Sequence, residues 1–497
     1  MSWKDRSFEV LPALRVRGKP LRHTLRTVTA AWMFGIIWMS GVSGSQMTDF
    51  CWLLGFDDFH FGLLQAIPCA ATVAQLVAAV YVERSGLRKY LFLYTGTIHR
   101  LLWLVIAVIP LIVRPGRAAI AAFLMTYAVS SILGHVASPP WQTWMGDLIP
   151  RRIRGRYFSF RRIYTIPLQV VVTIVSGYLM DRSVLPMAPG VVMTPANQPY
   201  LTMVICGIFI FSGLCGAMDI LLFRKVREMV SPPLLEHPEP SQEPAGRRLL
   251  HAFTEPALTL LKPLADRQFR NYALYAASIT FAANFGGSYY MTNALKNIGY
   301  SKLGANVVLI VFGALSGMFM ARGWGRLIDT WGRRPVLILG TIGVVFGILG
   351  WMFIPPGNMV LAYVLGIAAC VWGGVMWGAI NLAQVSLVMG FSDTAGRSKF
   401  VAASAVFSNV GGFFGGLLGG VLAQKLVFLQ AHPLHVGPFL WNNYHITFIV
   451  SSVARAASLV WLIGLVDPGS RPFGDLVRAM WLGLLEGLGR LVASRRQ

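Results

Sequence analysis

Apolar residues run through this chain in long stretches, and polar residues fall between them in short clusters. A stretch of about 20 apolar residues is long enough to cross a bilayer as a helix. Such stretches lie near 27–48, 59–82, 90–113, 117–140, 157–180 and 200–223, and again near 271–295, 303–324, 335–354, 359–386, 399–425 and 443–466. The pattern predicts an all-α membrane protein of twelve transmembrane helices in two six-helix halves, residues 27–223 and 271–466. Residues 1–26 form an N-terminal tail. Residues 224–270 hold Pro232, Pro233, Pro238, Pro240 and Pro244 among Glu, Ser and Arg, which reads as a linker with at most a short helix near 246–262. In the tail 467–497, Phe473, Leu476, Val477, Met480, Trp481, Leu484, Leu488 and Leu491 recur at helical spacing. Asp475, Arg478, Glu486 and Arg490 interrupt them. That helix is expected to lie along the membrane surface, since a thirteenth span would bury those charges.

Composition agrees. The 497 residues are 55% hydrophobic and 13% charged, about half the charge of a soluble domain. The formal net charge of +23 invites a nucleic-acid reading, but the spans exclude a soluble nucleic-acid binder. Most of the 43 Lys and Arg fall in the even-numbered loops, the linker and the tails, as expected where those segments are cytoplasmic. Both termini are therefore expected inside, in an inner or plasma membrane. The first 26 residues lack a cleavable signal, and the first apolar run is too long for one. Cys51, Cys69, Cys206, Cys215 and Cys370 lie in or beside apolar runs without metal-ligand spacing, so they read as packing residues. No cofactor or metal is expected.

The two halves carry traces of one another. Glu83, Gly86 and Arg88 recur at a constant offset as Asp329, Gly332 and Arg334. Met47-Thr48-Asp49 ends the first run and Met291-Thr292-Asn293 the seventh; Gly55-Phe56 matches Gly299-Tyr300, and Gly155-Arg156 matches Gly396-Arg397. In order and in register, these matches point to a duplicated six-span unit. On the turn Gly325, Asp329, Gly332, Arg333, Arg334, its degenerate copy at Glu83 and Arg84, the six-plus-six layout and the basic linker, the chain resembles the major facilitator superfamily of secondary transporters over roughly residues 27–466. It departs at Thr330, where the family often has Arg, and at Ala79 and Leu87 in the first copy. The turn identifies the superfamily and carries no substrate information.

The resemblance implies transport of a small solute by alternating access between the halves. It also implies that the turns gate. Gly325 would let a neighbouring helix approach. Asp329 would face the start of span five near Arg156 and Arg161, and Glu83 the start of span eleven near Arg397 and Lys399. These contacts would hold the outward-open state. The plainer reading is that the turns orient loops. The charge cluster Asp147, Arg151, Arg152, Arg154, Arg156, Arg161 and Arg162 is read as orientation and lipid-headgroup binding rather than substrate recognition.

Ionisable residues inside spans cost at least ~2.5 kcal/mol at the bilayer centre and mark sites or pairs. They are His99 and Arg100 in span three, His135 in span four and Arg455 in span twelve. Each reads either as a substrate or coupling group or as a structural pair. No Asp or Glu stands clearly at mid-depth, so a carboxylate relay is not evident, while His99, His135 or Asp49 remain candidate proton carriers. The family places spans one, four, seven and ten around the substrate. Trp38, Ser43, Gln46, Tyr127, Ser131, Asn284, Tyr289, Trp372, Trp377 and Asn381 fit that lining by depth, with Gln65 and Gln169 from spans two and five. Pro139-Pro140 and the glycines 411, 412, 415, 416, 419 and 420 are bend and close-packing sites. Two rivals stand beside a monomeric transporter in a lipid bilayer: a non-transporting sensor or scaffold on the same fold, and a membrane-embedded enzyme. The enzyme would need a clustered catalytic set, and the sequence has none.

Overall fold

The structure is a computed structural model. It describes residues 19–85, 88–187, 191–226, 261–391, 397–437, 439–480 and 482. The 246–262 helix expected in the linker and most of the C-terminal amphipathic helix lie outside the described residues; helix is present at 473–480, with Leu476 buried.

Among the described residues, twelve helical segments stand where the sequence places spans. Ten are long and apolar enough to span by length and composition: Asp58–Ala79, Arg88–Ile112, Arg117–Leu148, Phe160–Ser183, Pro199–Lys225, Lys302–Trp331, Arg333–Phe353, Met359–Gly390, Phe400–Lys425 and Asn443–Ile463. An eleventh is broken, Leu21–Gly41 and Ser45–Leu54 meeting at 48°. The sequence reading drew this first span as one run. The break falls where Gly44 takes φ 79, a left-handed conformation that a glycine adopts without a Cβ penalty. Span seven, Arg267–Gly287 continued by Tyr289–Asn293, completes the twelve. Arg267, Arg270, Asn271 and Asn284 lower its apolar content, and Asp266 caps it by accepting from the amides of Gln268 and Phe269.

Packing repeats between the halves. In the first, span one packs on five and six, span three on four and six, and span two on four. In the second, span seven packs on eleven and twelve, span nine on ten and twelve, and span eight on ten. The matched glycines Gly55 and Gly299 both end their elements in the left-handed region, with φ 92 and 85. The duplication legible in the sequence is thus also a duplication of backbone and packing.

The halves meet through span two on eleven and span five on eight. Glycines make the first contact close. Gly411, Gly415 and Gly419 lie against the carbonyls of Ala277, Phe281 and Phe285 in span seven. The alternate set, Gly412, Gly416 and Gly420, lies against Cys69, Ala66 and Gly62 in span two. A β carbon on Gly416 would stand 2.9 Å from the Gly62 carbonyl oxygen and 3.0 Å from the Ala66 nitrogen. Span eleven is therefore a ribbon of small residues between its own half and the other.

The apolar cores show where the halves join. On the face bearing the loops 55–57 and 426–442, here the far face, one cluster takes buried residues from both halves, including Phe50, Phe61, Phe123, Tyr289, Ile298 and Phe448. On the near face, which bears the linker and the described ends of the chain, the buried residues form two clusters. One gathers Val28, Phe92, Trp144 and Phe223 of the first half, the other Phe269, Trp324, Ile328 and Leu462 of the second. The molecule is closed on the far face and parted on the near one.

Candidate gate and solute cavity

Most hydrogen bonds between the halves, among the described residues, sit in the far-face part of the molecule; Asn284 to the Cys69 sulfur is deeper, about mid-way along span two. Lys302 begins span eight, and its Nζ lies 2.9 Å from Oδ1 of Asp49, whose side chain is fully buried. Asp181, at the end of span five, accepts from the amides of Lys302 (2.7 Å) and Leu303 (3.0 Å). A carboxylate at a helix start meets free amides and the positive end of the helix dipole, so one half caps a helix of the other. Asn306, one turn on, accepts from the Ser45 amide at 2.9 Å and donates to Gln46 Oε1 at 3.0 Å. A second cluster surrounds Asp58 at the start of span two. Its carboxylate accepts from Asn443 (2.6 Å) and the Tyr444 hydroxyl (2.8 Å), and its carbonyl accepts from the Tyr289 hydroxyl (3.1 Å).

The described contacts of the second motif turn, and of Arg88 and Lys89 beside the first, lie inside their own halves. Asp467, buried after span twelve, accepts from the Arg333 amide at 2.8 Å and the Arg334 amide at 3.3 Å. Arg334 Nε donates to the Leu462 carbonyl at 3.0 Å. Gly332 has φ 97 and abuts Ser470. In the first half, Lys89 donates to the carbonyls of Arg224 and Val226 after span six, and Arg88 Nη1 lies 2.6 Å from Asp147 at the end of span four. Of the contacts expected between the halves, only Asp329 with Arg161 falls on described side chains, and no ion pair joins them in this state. Asp329 is exposed and without an ion pair there. Arg161 lies over the rings of Trp32 and Phe158, at 4.8 and 5.0 Å. A β carbon on Gly325 would meet nothing within 4 Å, so the close approach expected there is also missing. The physical reason is the parting of the near face. Gly86 lies outside the described residues, as do the side chains of Glu83, Arg84, Arg156, Arg397 and Lys399.

A cavity of about 550 Å³ opens among spans one to six. It brings together Trp38, Ser43, Tyr127, Ser131, His99, Arg100 and His135 from the sequence-predicted set, and Arg161. Arg100 stands mid-way along span three, 8% exposed, 3.5 Å from the Trp38 ring centre. Its Nη2 lies 3.3 Å from Oδ2 of Asp219 in span six. Asp219 lies near the end of its span by sequence, outside the mid-depth positions. The long guanidinium reaches it, and Gly35 lets it in: a β carbon there would stand 2.6 Å from Asp219 Oδ2. His99 hydrogen-bonds Ser130 at 2.8 Å, and Gln75 hydrogen-bonds His135 at 2.8 Å. Ser130, Gln75 and Asp219 were missed because helical phase, not depth, brings them to the cavity.

The remaining predicted lining residues lie elsewhere. Gln46 and Tyr289 are buried in the far-face contacts. Asn284 is held by the Gly412 carbonyl and the Cys69 sulfur. Trp372 is 45% exposed, with its indole nitrogen on the Gly343 carbonyl, so it belongs to the perimeter. Asn381 is exposed. Trp377 lies 5.7 Å from Arg455, whose Nη1 donates to the Val344 carbonyl at 2.9 Å. These corrections share one cause. Depth along a span was legible, whereas the face each helix turns to its neighbours was not.

The sequence model of the Major Facilitator Superfamily matches residues 27–416. The chain belongs to the major facilitator superfamily. It is a multi-pass membrane protein and a secondary transporter of solutes, not an enzyme. No curated protein sequence matches it. Among solved structures it is similar to the nucleoside transporter NupG, at 11% identity and TM-score 0.59 over 89% of this chain and 98% of that one. It is also similar to the inward-open xylose transporter XylE from E. coli, at 15% identity and TM-score 0.58 over 92% and 99%. A third is a bacterial homolog of the human lysosomal transporter Spinster in an inward-facing, occupied conformation, at 13% identity and TM-score 0.57 over 90% and 96%. At these identities the likeness carries the fold.

Proposed function

We propose that this facilitator carries its solute through an inner or plasma membrane as a monomer, with both termini in the cytoplasm. The form described here is the inward-facing one. The observation that carries the reading is the asymmetry between faces: one shared apolar core and most of the described inter-half hydrogen bonds on the far face, two separate cores on the near face. Lys302, Asp49, Asp181, Asn306 and Asp58 form the outer gate. The turn around Asp329 forms the inner one and engages Arg161 and the start of span five when the halves rock the other way. Solute reaches the first half's cavity from the cytoplasmic side. The distribution of Lys and Arg supports the orientation.

The test has two readouts. On intact cells, a membrane-impermeant thiol reagent labels a cysteine placed at exposed Val427 and spares one at Thr330; the reverse pattern overturns the orientation. In liposomes, cross-linking cysteines at Gln142 and Asn381 across the near face stops solute uptake, and reduction restores it. Uptake that survives the cross-link contradicts alternating access. A pH gradient imposed on the same vesicles reads whether a proton accompanies the solute.

A further inference from the structure

Arg100 is more than nine-tenths buried, yet its Nε and Nη1 have no hydrogen-bond partner. Its contact with Asp219 is single and long, one nitrogen to one oxygen at 3.3 Å, where a guanidinium and a carboxylate can form two parallel bonds. An unsatisfied donor of this kind is costly unless something occupies it. The same residue borders the 550 Å³ cavity, a volume within the range of small-molecule sites. A second guanidinium, Arg161, borders it too and has no carboxylate within salt-bridge distance among the described residues. The cavity thus holds two fixed cations against one carboxylate. The wall also carries the aromatic rings of Trp38, Trp103, Tyr127 and Phe92, beside the polar side chains of His99, His135, Gln75 and Ser131.

We propose that this cavity binds a small organic monoanion with a flat apolar body, such as an aromatic carboxylic acid. This rests on the transporter reading above and names its substrate class. The carboxylate lies in the cavity against the two guanidinium groups, Arg100 and Arg161. The body lies between the rings of Trp38, Trp103 and Tyr127, whose aromatic area suits a planar partner. Asp219 holds Arg100 in place and leaves one unit of positive charge unmatched, so a neutral solute of the same shape leaves that charge without a partner. Gly216 keeps the arrangement open, because a β carbon there would stand 2.9 Å from both the Arg100 side chain and the Trp38 ring.

The test is equilibrium binding to the purified full-length protein, followed by tryptophan fluorescence and by melting temperature, with 1-naphthoate and benzoate against their uncharged amides. The acids bind at least tenfold more tightly than the amides. Arg100→Gln alone leaves Asp219 buried without its cation, so the triple variant Arg100→Gln, Arg161→Gln and Asp219→Asn serves beside it; it removes all three charges and loses the preference for the acid. Arg455→Gln keeps the preference. Equal binding of acid and amide overturns the proposal, as does a triple variant that still favours the acid. Saturation by anionic phospholipid in bilayer discs, with no response to the aromatic acids, overturns it as well and assigns the cations to lipid. Binding needs no transport cycle, so an acid-selective protein that fails the liposome cross-linking test would sink the alternating-access reading and leave this one standing.

Discussion

The two faces of the molecule solve the same problem differently. On the far face, helix starts of one half are met by carboxylates of the other: Asp181 at Lys302 and Leu303, and Asp58 at Asn443 and Tyr444. On the near face, helix starts are met by carboxylates of their own half, Asp467 at Arg333 and Arg334, and Asp147 at Arg88. Contacts between halves exist in one state and must break in the other. Contacts within a half persist through the cycle. The difference teaches which charges belong to a gate and which to a rigid body.

Lys302→Ala should break the comparison hardest. It leaves Asp49, fully buried, without its cation, and removing one partner of a buried pair costs about 3–5 kcal/mol. Because the pair bridges the halves, the cost falls on this state, and the double variant with Asp49→Asn should recover most of it. Spin-label distances across the far face read the shift. Asp58→Ala comes next. It strips the charged acceptor from Asn443 and Tyr444, and a hydrogen bond to a charged group contributes about 1.5–3 kcal/mol. Accessibility of a far-face cysteine should rise. Asn306→Ala removes the partners of the Ser45 amide and Gln46, and should weaken closure by about 1 kcal/mol. Asp329→Ala is the control on the open face. Exposed, and unpaired among the described residues, it should change the stability of this state by an amount within the usual ±0.5 kcal/mol of surface substitutions. Its effect should appear in the rate of return to the outward-facing form.

The fold was legible because the bilayer enforces it. Runs of about 20 apolar residues, a Pro-rich break and repeated turns give the spans and the halves. Gly55 and Gly299 show the repeat at its sharpest, matched in sequence and in left-handed backbone. The site was less legible. Arg100 and Arg455 looked alike as arginines within spans, but one faces a carboxylate and a cavity while the other donates to a backbone carbonyl. Nothing in sequence spacing says that span six turns Asp219 toward span three. The gate left one overlooked trace: Lys302 is a cation on the face that the charge distribution leaves nearly bare of Lys and Arg, which calls for a partner such as Asp49.

The central claim is that this state is held by contacts on one face, with the other parted. Paired spin labels at Leu185 and Val427 on the far face, and at Gln142 and Asn381 on the near face, test it in lipid. In the protein without solute, the account predicts a short far-face distance and a long near-face one, with the two exchanging in Lys302→Ala. Distances that stay fixed in both pairs when Lys302 is removed, or a far face already open with Lys302 in place, would contradict it.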